Sequence, residues 1–93
     1  MFVSVVLDPG GIDSAKALAN ILAQYKFKKI QRACWENLQI NEKELSNLKR
    51  DIDSVTDYYD TIRIYQFPIN SNFAVTELRH KKWRRALFGS EKK

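Results

Sequence analysis

The first eleven residues constrain the fold more than any other stretch of this chain. The segment from Phe2 to Leu7 is apolar except for Ser4, and it is stopped by Asp8-Pro9-Gly10-Gly11. A short apolar run bounded by turn residues is typical of a strand buried on both faces. The sequence therefore predicts a central strand, with the carboxylate of Asp8 at the point where the chain leaves the core.

Two amphipathic helices are predicted. The first has Asp13 or Ser14 as its cap, and its apolar face consists of Ala15, Leu18, Ile21, Leu22 and Tyr25. The second opens at Asn41, and Glu44 has the spacing of a capping box. Its apolar face is formed by Leu45, Leu48, Ile52 and Val55. Each helix thus has one face to pack on a sheet.

The remaining patterns predict strands. Residues 28–40 indicate two short strands joined near Glu36 and Asn37, or one bent strand with a bulge. Residues 61–67 alternate as a strand that Pro68 ends. The order strand, helix, two strands, helix, strand is the pattern of a ferredoxin-like α+β sandwich, βαββαβ. After Ile69 the chain is predicted as a short strand over 73–78 followed by a basic helix, or as a helix throughout.

One face of this sheet is left without a helix. It would present Arg63, Tyr65 and Phe67, together with Trp35, and this surface is too apolar to be left in water. We therefore expect a homodimer in which a second copy covers it. The single cysteine, Cys34, is expected to be a buried structural thiol. No apolar run reaches membrane-spanning length and no basic segment precedes the first strand, so we expect a cytoplasmic protein without membrane contact.

Positive charge is concentrated at the end of the chain. Residues 1–78 hold nine Lys/Arg and ten Asp/Glu, whereas residues 79–93 hold seven Lys/Arg and one Glu. This predicts a domain over 1–78 and a basic C-terminal tail over 79–93, which either binds a polyanion or only solubilises the terminus. An aromatic residue, Trp83, stands among the basic residues of this tail, and such a mixture is typical of segments that bind a nucleic-acid backbone. The basic residues are Arg79, Lys81, Lys82, Arg84 and Arg85.

Asp8 is the candidate metal ligand and catalytic residue. A carboxylate at a strand end can bind Mg²⁺, whereas the simpler alternative is a turn aspartate bonded to its own backbone. A single carboxylate is a poor metal site, but a homodimer could pair two Asp8 side chains across its axis. The lone histidine, His80, is expected to contact phosphate or solvent.

Three short segments resemble the CRISPR-associated protein 2 family. They are the strand ending in Asp8, Ala33-Cys34-Trp35-Glu36, and Arg63-Ile64-Tyr65. The resemblance spans about residues 1 to 70. It implies a ferredoxin-like homodimer whose C-terminal strands extend the partner's sheet, and which bridges CRISPR integrase dimers along double-stranded prespacer DNA. It also implies a possible metal-dependent nuclease acting on RNA or DNA, with Asp8 at the metal.

The chain departs from that family after Asp8. Relatives carry basic residues there, whereas this chain has Pro9, Gly10, Gly11, Ile12 and Asp13. This departure moves the expected DNA contacts to Lys28, Lys29, Arg32 and the basic tail, and it favours a DNA-binding adaptor. The alternative is a Mg²⁺-dependent endonuclease with paired Asp8 residues. A small-ligand regulatory domain of the same fold is the third possibility.

Overall fold

The computed structural model describes residues 1–69 and 72–89, which form six strands and two helices. All six strands form one antiparallel sheet in the order β2-β3-β1-β4-β5-β6. The α+β class predicted from the sequence is confirmed. In chain order the elements are β1 (Phe2–Asp8), α1 (Ile12–Gln24), β2 (Lys28–Gln31), β3 (Cys34–Asn37), α2 (Glu42–Val55), β4 (Thr61–Ile69), β5 (Asn72–Arg79) and β6 (Lys82–Phe88).

Strand β1 lies inside the sheet, as predicted. Val5 is directly opposite Trp35 of β3 on one side and Ile64 of β4 on the other. Burial alternates along the strand between buried and intermediate residues, so a single chain fully buries only one face of β1. The physical reason is that both helices cover the same face, and only every second side chain of a strand points toward them.

The core lies between the helices and this covered face of the sheet. Its helical side chains are Leu18 and Leu22 from α1 and Leu45, Leu48 and Ile52 from α2. The sheet contributes Val3, Val5, Leu7, Ile62, Ile64 and Leu78. In the part of the chain that is described, neither helix is long and apolar enough to cross a membrane.

The start of α2 agrees with the prediction from the sequence, whereas the start of α1 does not. Asn41 and Glu44 form the predicted capping box, in which Glu44 N donates to Asn41 Oδ1 at 2.8 Å and Asn41 N donates to Glu44 Oε1 at 3.2 Å. Helix α1 begins earlier than predicted, with Gly11 at the N-cap and no side-chain cap. The hydroxyl of Ser14 is used elsewhere, as described below.

The chain between the helices forms two strands, as favoured, but the predicted junction near Glu36 and Asn37 is wrong. Both residues lie within β3, opposite Ser4 and Val3. The turn falls at Arg32 and Ala33 instead. An irregular register between β2 and β3 breaks the side-chain alternation there, which explains why the sequence pattern misplaced the turn.

The C-terminal segment is a β-hairpin, so the helix predicted there is wrong over the described residues. Strand β4 also continues through Pro68 to Ile69, beyond its predicted end. His80 and Lys81 connect β5 to β6 with φ values of 52° and 64°. Two consecutive left-handed residues make the tight turn that suits a two-residue hairpin. The basic residues are therefore part of the sheet from Arg79 to Phe88, and residues 90–93 lie outside the description.

Candidate nucleic-acid interface

One end of the sheet collects Asp8 and half of the predicted basic residues. The antiparallel register sets Asp8 opposite Thr61, Thr61 opposite Arg79, and Arg79 opposite Lys82. The β2–β3 turn lies at the same end, because Leu7 N donates to Ala33 O at 2.8 Å. This end, here called the strand-end rim, comprises Asp8, Arg32, Arg79, Lys81 and Lys82.

Asp8 is exposed at the middle of the rim. It lines a shallow cleft of about 390 Å³ together with the cations Lys29 and Arg32, and it is the only acidic residue in that lining. Among residues 1–69 and 72–89, no three His, Cys, Asp or Glu side chains lie close enough to hold a metal ion. One carboxylate beside two cations is a poor fit for Mg²⁺ within a single chain. The paired site across a dimer axis stays a prediction.

A buried carboxylate that sequence reasoning missed holds the loop after Asp8. Asp60 is 1% exposed and precedes β4. Its Oδ1 accepts from Gly10 N at 2.6 Å and from the hydroxyl of Ser14 at 2.8 Å. Its Oδ2 accepts from Asp57 N at 2.8 Å. Burial opposes ionisation of Asp60, but these hydrogen bonds outweigh it and hold the pKa below the ordinary value.

The close approach of the two loops at this point leaves no room for a side chain at Gly10. A Cβ at this position would lie 2.6 Å from Tyr59 Cβ and 2.8 Å from Tyr59 O. At Gly11 a Cβ would meet nothing within 4 Å. The Asp-Pro-Gly-Gly segment, which the sequence marks only as a turn, is thus a close crossing of two loops tied together by Asp60. The crossing fixes where β1 and its Asp8 end.

The tip of the β5–β6 hairpin is also anchored. The His80 ring stacks on Tyr58, with centroids 4.4 Å apart and planes 15° apart. Lys81 Nζ donates to the backbone carbonyl of Asp53 and lies 3.5 Å from its carboxylate. Trp83 Nε1 donates to the same carboxylate at 3.1 Å. His80 therefore packs on an aromatic ring rather than standing free, and the basic tip is held against α2.

The other predicted basic residues lie on the two edge strands rather than in one patch. The face of the sheet without helices, here called the open face, includes Lys28 opposite Glu36, and Arg84 opposite Glu77. Lys29, opposite Trp35, lies on the helix-covered face. So does Arg85, which is opposite the buried Thr76. Positive charge is thus distributed along β2 and β6, the outer strands of the sheet.

The open face has a mixed centre and an aromatic end. Arg63 lies 3.7 Å from Glu77 and above the ring of Tyr65, which confirms the predicted face for Arg63 and Tyr65. Phe67 is 50% exposed. Phe73 and Phe88 stack beside it with centroids 5.2 Å apart.

Trp35 and Cys34 are neighbours in β3 and lie on opposite faces of the sheet. Trp35 was expected on the open face, but it lies on the helix-covered face and packs against the core, because it is opposite Val5. Cys34 is half-buried, with its Sγ 3.5 Å from the hydroxyl of Ser4. A free thiol in this position is consistent with a structural role.

Comparisons of this chain with protein-family models, with curated proteins and with solved structures find no match. No family is identified by overall similarity.

Proposed function

We propose that this chain is a cytoplasmic CRISPR adaptation subunit of the CRISPR-associated protein 2 type. In this role it is a homodimeric adaptor that binds duplex DNA through the phosphate backbone and bridges integrase dimers. The observation that carries the proposal is the strand-end rim, where basic residues from distant segments lie together at strand ends and in the adjoining turns. The basic residues of the rim are the proposed contacts to phosphate or to the integrase.

The proposed ferredoxin-like fold is supported by strand order. The first four strands have the neighbour order β2-β3-β1-β4, and both helices pack on one face. A βαββαβ sandwich has this arrangement. The hairpin partner strands β5 and β6 extend it beyond β4.

The proposed homodimer is supported by the open face. Phe67, Phe73 and Phe88 are 50%, 39% and 46% exposed and lie together at one end of it. Clustered aromatic side chains on a sheet face are typical of a surface that another protein covers. A second copy seated on this aromatic end would leave the rim, at the opposite end of the strands, accessible to DNA.

The dimensions of the rim suit a duplex. Six strands spaced about 4.8 Å apart place the outer strands about 24 Å apart, which matches about seven base-pair steps of 3.4 Å. Arg32 lies toward one end of this span and Lys82 at the other. Helix α1 begins just after Asp8 without a side-chain cap, so its first backbone N–H groups can also donate to a phosphate bound at the rim. None of these groups reads a base, so we expect binding with little sequence preference.

Duplex binding over a range of salt concentrations tests this assignment. Arg79→Gln with Lys82→Gln should lower the affinity and reduce the slope of log K against log salt by about 2, or about 1 per phosphate contact. Lys43→Gln is the matched control, because it removes one exposed charge at the start of α2, far from the rim. Identical slopes for all three proteins would overturn the assignment. Deleting residues 79–93 would be a poor test, since it removes β6 from the sheet.

The proposed dimer needs a measurement separate from DNA binding. Phe67→Glu with Phe88→Glu should convert a dimer to a monomer in sedimentation experiments, because it puts charge into the proposed interface. A protein that is monomeric before substitution would contradict the proposed assembly.

The alternative function is a Mg²⁺-dependent endonuclease with Asp8 residues paired across the dimer. It has less support, because Asp8 shares its cleft with Lys29 and Arg32 and with no other acidic residue. Cleavage of duplex DNA or single-stranded RNA that needs Mg²⁺ and is lost in Asp8→Ala would favour the enzyme. Equal behaviour of the two proteins would favour the adaptor.

A further inference from the structure

A second basic feature lies on the opposite side of β6 from Lys82, in a groove between α2 and β6. The groove has a volume of about 460 Å³. It forms because β6 is the outermost strand and α2 covers it only in part. The residues that line it are Lys49, Arg50, Asp53, Thr76, Trp83, Arg84 and Arg85.

The groove holds an excess of positive charge. Lys49, Arg50 and Arg85 are its cations on the helix-covered side, Arg84 lies at its margin with a register position on the open face, and only Asp53 is an anion. The Asp53 carboxylate is already occupied by Trp83 Nε1 and by Lys81. Within residues 1–69 and 72–89, Lys49 and Arg85 form no ion pair. Burial, and then the nearby charge of Arg85, lower the pKa of Lys49, and the charge of Glu42 offsets this only in part.

A buried hydroxyl supplies an independent observation. Thr76 is 4% exposed, lines the groove and lies directly opposite Arg85 across the β5–β6 pair. Its Oγ1 has no hydrogen-bond partner among the described residues. Buried hydroxyl groups normally have a partner, because leaving one unpaired is costly. The groove therefore offers cationic and hydroxyl donors, and its one carboxylate, that of Asp53, is already paired with Trp83 and Lys81.

We propose that this groove is a phosphate-binding site, separate from the strand-end rim. A phosphate group can accept from Arg85, Lys49 and the Thr76 hydroxyl together, and a guanidinium matches two of its oxygens. A terminal phosphate has three strong acceptor oxygens, one for each of these side chains, whereas a carboxylate would have to share its two. The phosphate group belongs either to a phosphodiester of nucleic acid or to a free phosphate compound. The site does not depend on the adaptor function, since it is defined by these side chains alone.

The test is a titration of the full chain with inorganic pyrophosphate at low salt, followed by the indole N–H resonances of its two tryptophans. We expect the Trp83 resonance to shift and saturate, because Trp83 lines the groove. Trp35 lines the cleft beside Lys29 and Arg32 on the far side of β1, so its resonance reports pyrophosphate bound there, and we expect it to shift less than that of Trp83.

Three substitutions locate the site. Thr76→Val keeps the shape of the side chain and removes only its hydroxyl. The loss of one hydrogen bond to a charged ligand should lower the affinity for pyrophosphate about tenfold. Arg85→Gln should weaken it at least as much. Lys43→Gln removes the same unit charge at the start of α2, outside both the groove and the rim, and it should leave the affinity within about twofold because exposed charges are strongly screened. Equal affinities in all four proteins, or equal shifts of both tryptophans, would overturn the proposal.

Competition identifies the source of the phosphate. Duplex DNA that displaces pyrophosphate from the wild-type chain would show that the groove takes a phosphodiester. Simultaneous binding of both would show that it takes free phosphate compounds. An oligoglutamate peptide that binds the groove more tightly than pyrophosphate would overturn the assignment to phosphate. If the rim substitutions abolish duplex binding while pyrophosphate still shifts Trp83, the two sites are independent.

Discussion

The Asp60 carboxylate makes a quantitative prediction about how the rim is held in place. Asp60→Asn keeps one acceptor oxygen, which can still bond Gly10 N and Ser14, but it turns an amide N–H toward the Asp57 N–H. The substitution therefore removes one charge-assisted hydrogen bond and sets two donors against each other. Such a loss costs about 2 kcal/mol. For a domain of this size the melting temperature should fall by about 10 °C.

Equilibrium unfolding in urea at pH 7 measures this loss directly. Asp57→Asn is the control, because this exposed side chain lies in the same turn and its amide oxygen can still accept from Tyr59 N, so the change should cost less than about 0.5 kcal/mol. Ser14→Ala should lie between the two, since it removes only one of the three bonds to Asp60.

The pH dependence gives a second measurement with a defined sign. The pKa of Asp60 is lower in the folded chain than in the unfolded one, so its contribution is fully present above the unfolded value of about 4. It is lost as the pH falls through the lower folded value. Wild type should therefore lose more stability than Asp60→Asn on acidification from pH 5 to pH 2. Equal stabilities at pH 7 together with equal acid slopes would refute the argument.

Two further substitutions test other contacts. Gly10→Ala should destabilise the fold by about 1–3 kcal/mol, because its Cβ would overlap Tyr59. Gly11→Ala should cost less than about 1 kcal/mol, because alanine is only a poorer N-cap there. Similar melting temperatures for the two variants would contradict the close crossing of the loops. Tyr25→Phe removes the hydrogen bond to Asp51 at 2.6 Å and should cost about 1 kcal/mol in urea unfolding at pH 7. That bond, with burial, raises the pKa of Tyr25, so wild type should lose stability above pH 10 and the phenylalanine variant should lose less.

The features that could be predicted from the sequence depend on nearby residues. The Asn41 capping box spans three positions, and the apolar spacing of α2 lies within one helix, so each is visible in a short window. The central place of β1 also followed from its composition. Asp8 was correctly expected at the end of that strand, and its exposure left it free for a functional role.

The features that the sequence did not show depend on distant partners. Asp60 acts on Gly10, fifty positions away, and no pattern around either residue indicates the contact. The β6 strand forms by pairing with the edge of β5, while its composition is equally compatible with a basic helix. The groove beside Lys49 could not be anticipated either, because α2 and β6 come together only in the folded chain.

The position of β1 in the sheet also has a consequence for the order of folding. Both of its neighbours, β3 and β4, come later in the chain, whereas β4, β5 and β6 pair with their sequence neighbours. Local hairpins close at little entropic cost, but β1 must wait for a long loop to close before its second edge is paired. During synthesis on the ribosome the strand that ends in Asp8 is made first, yet it cannot be completed until β4 has emerged. The loop crossing at Gly10 and Asp60 closes at that same step, and the rim is completed only when β5 and β6 have also been made.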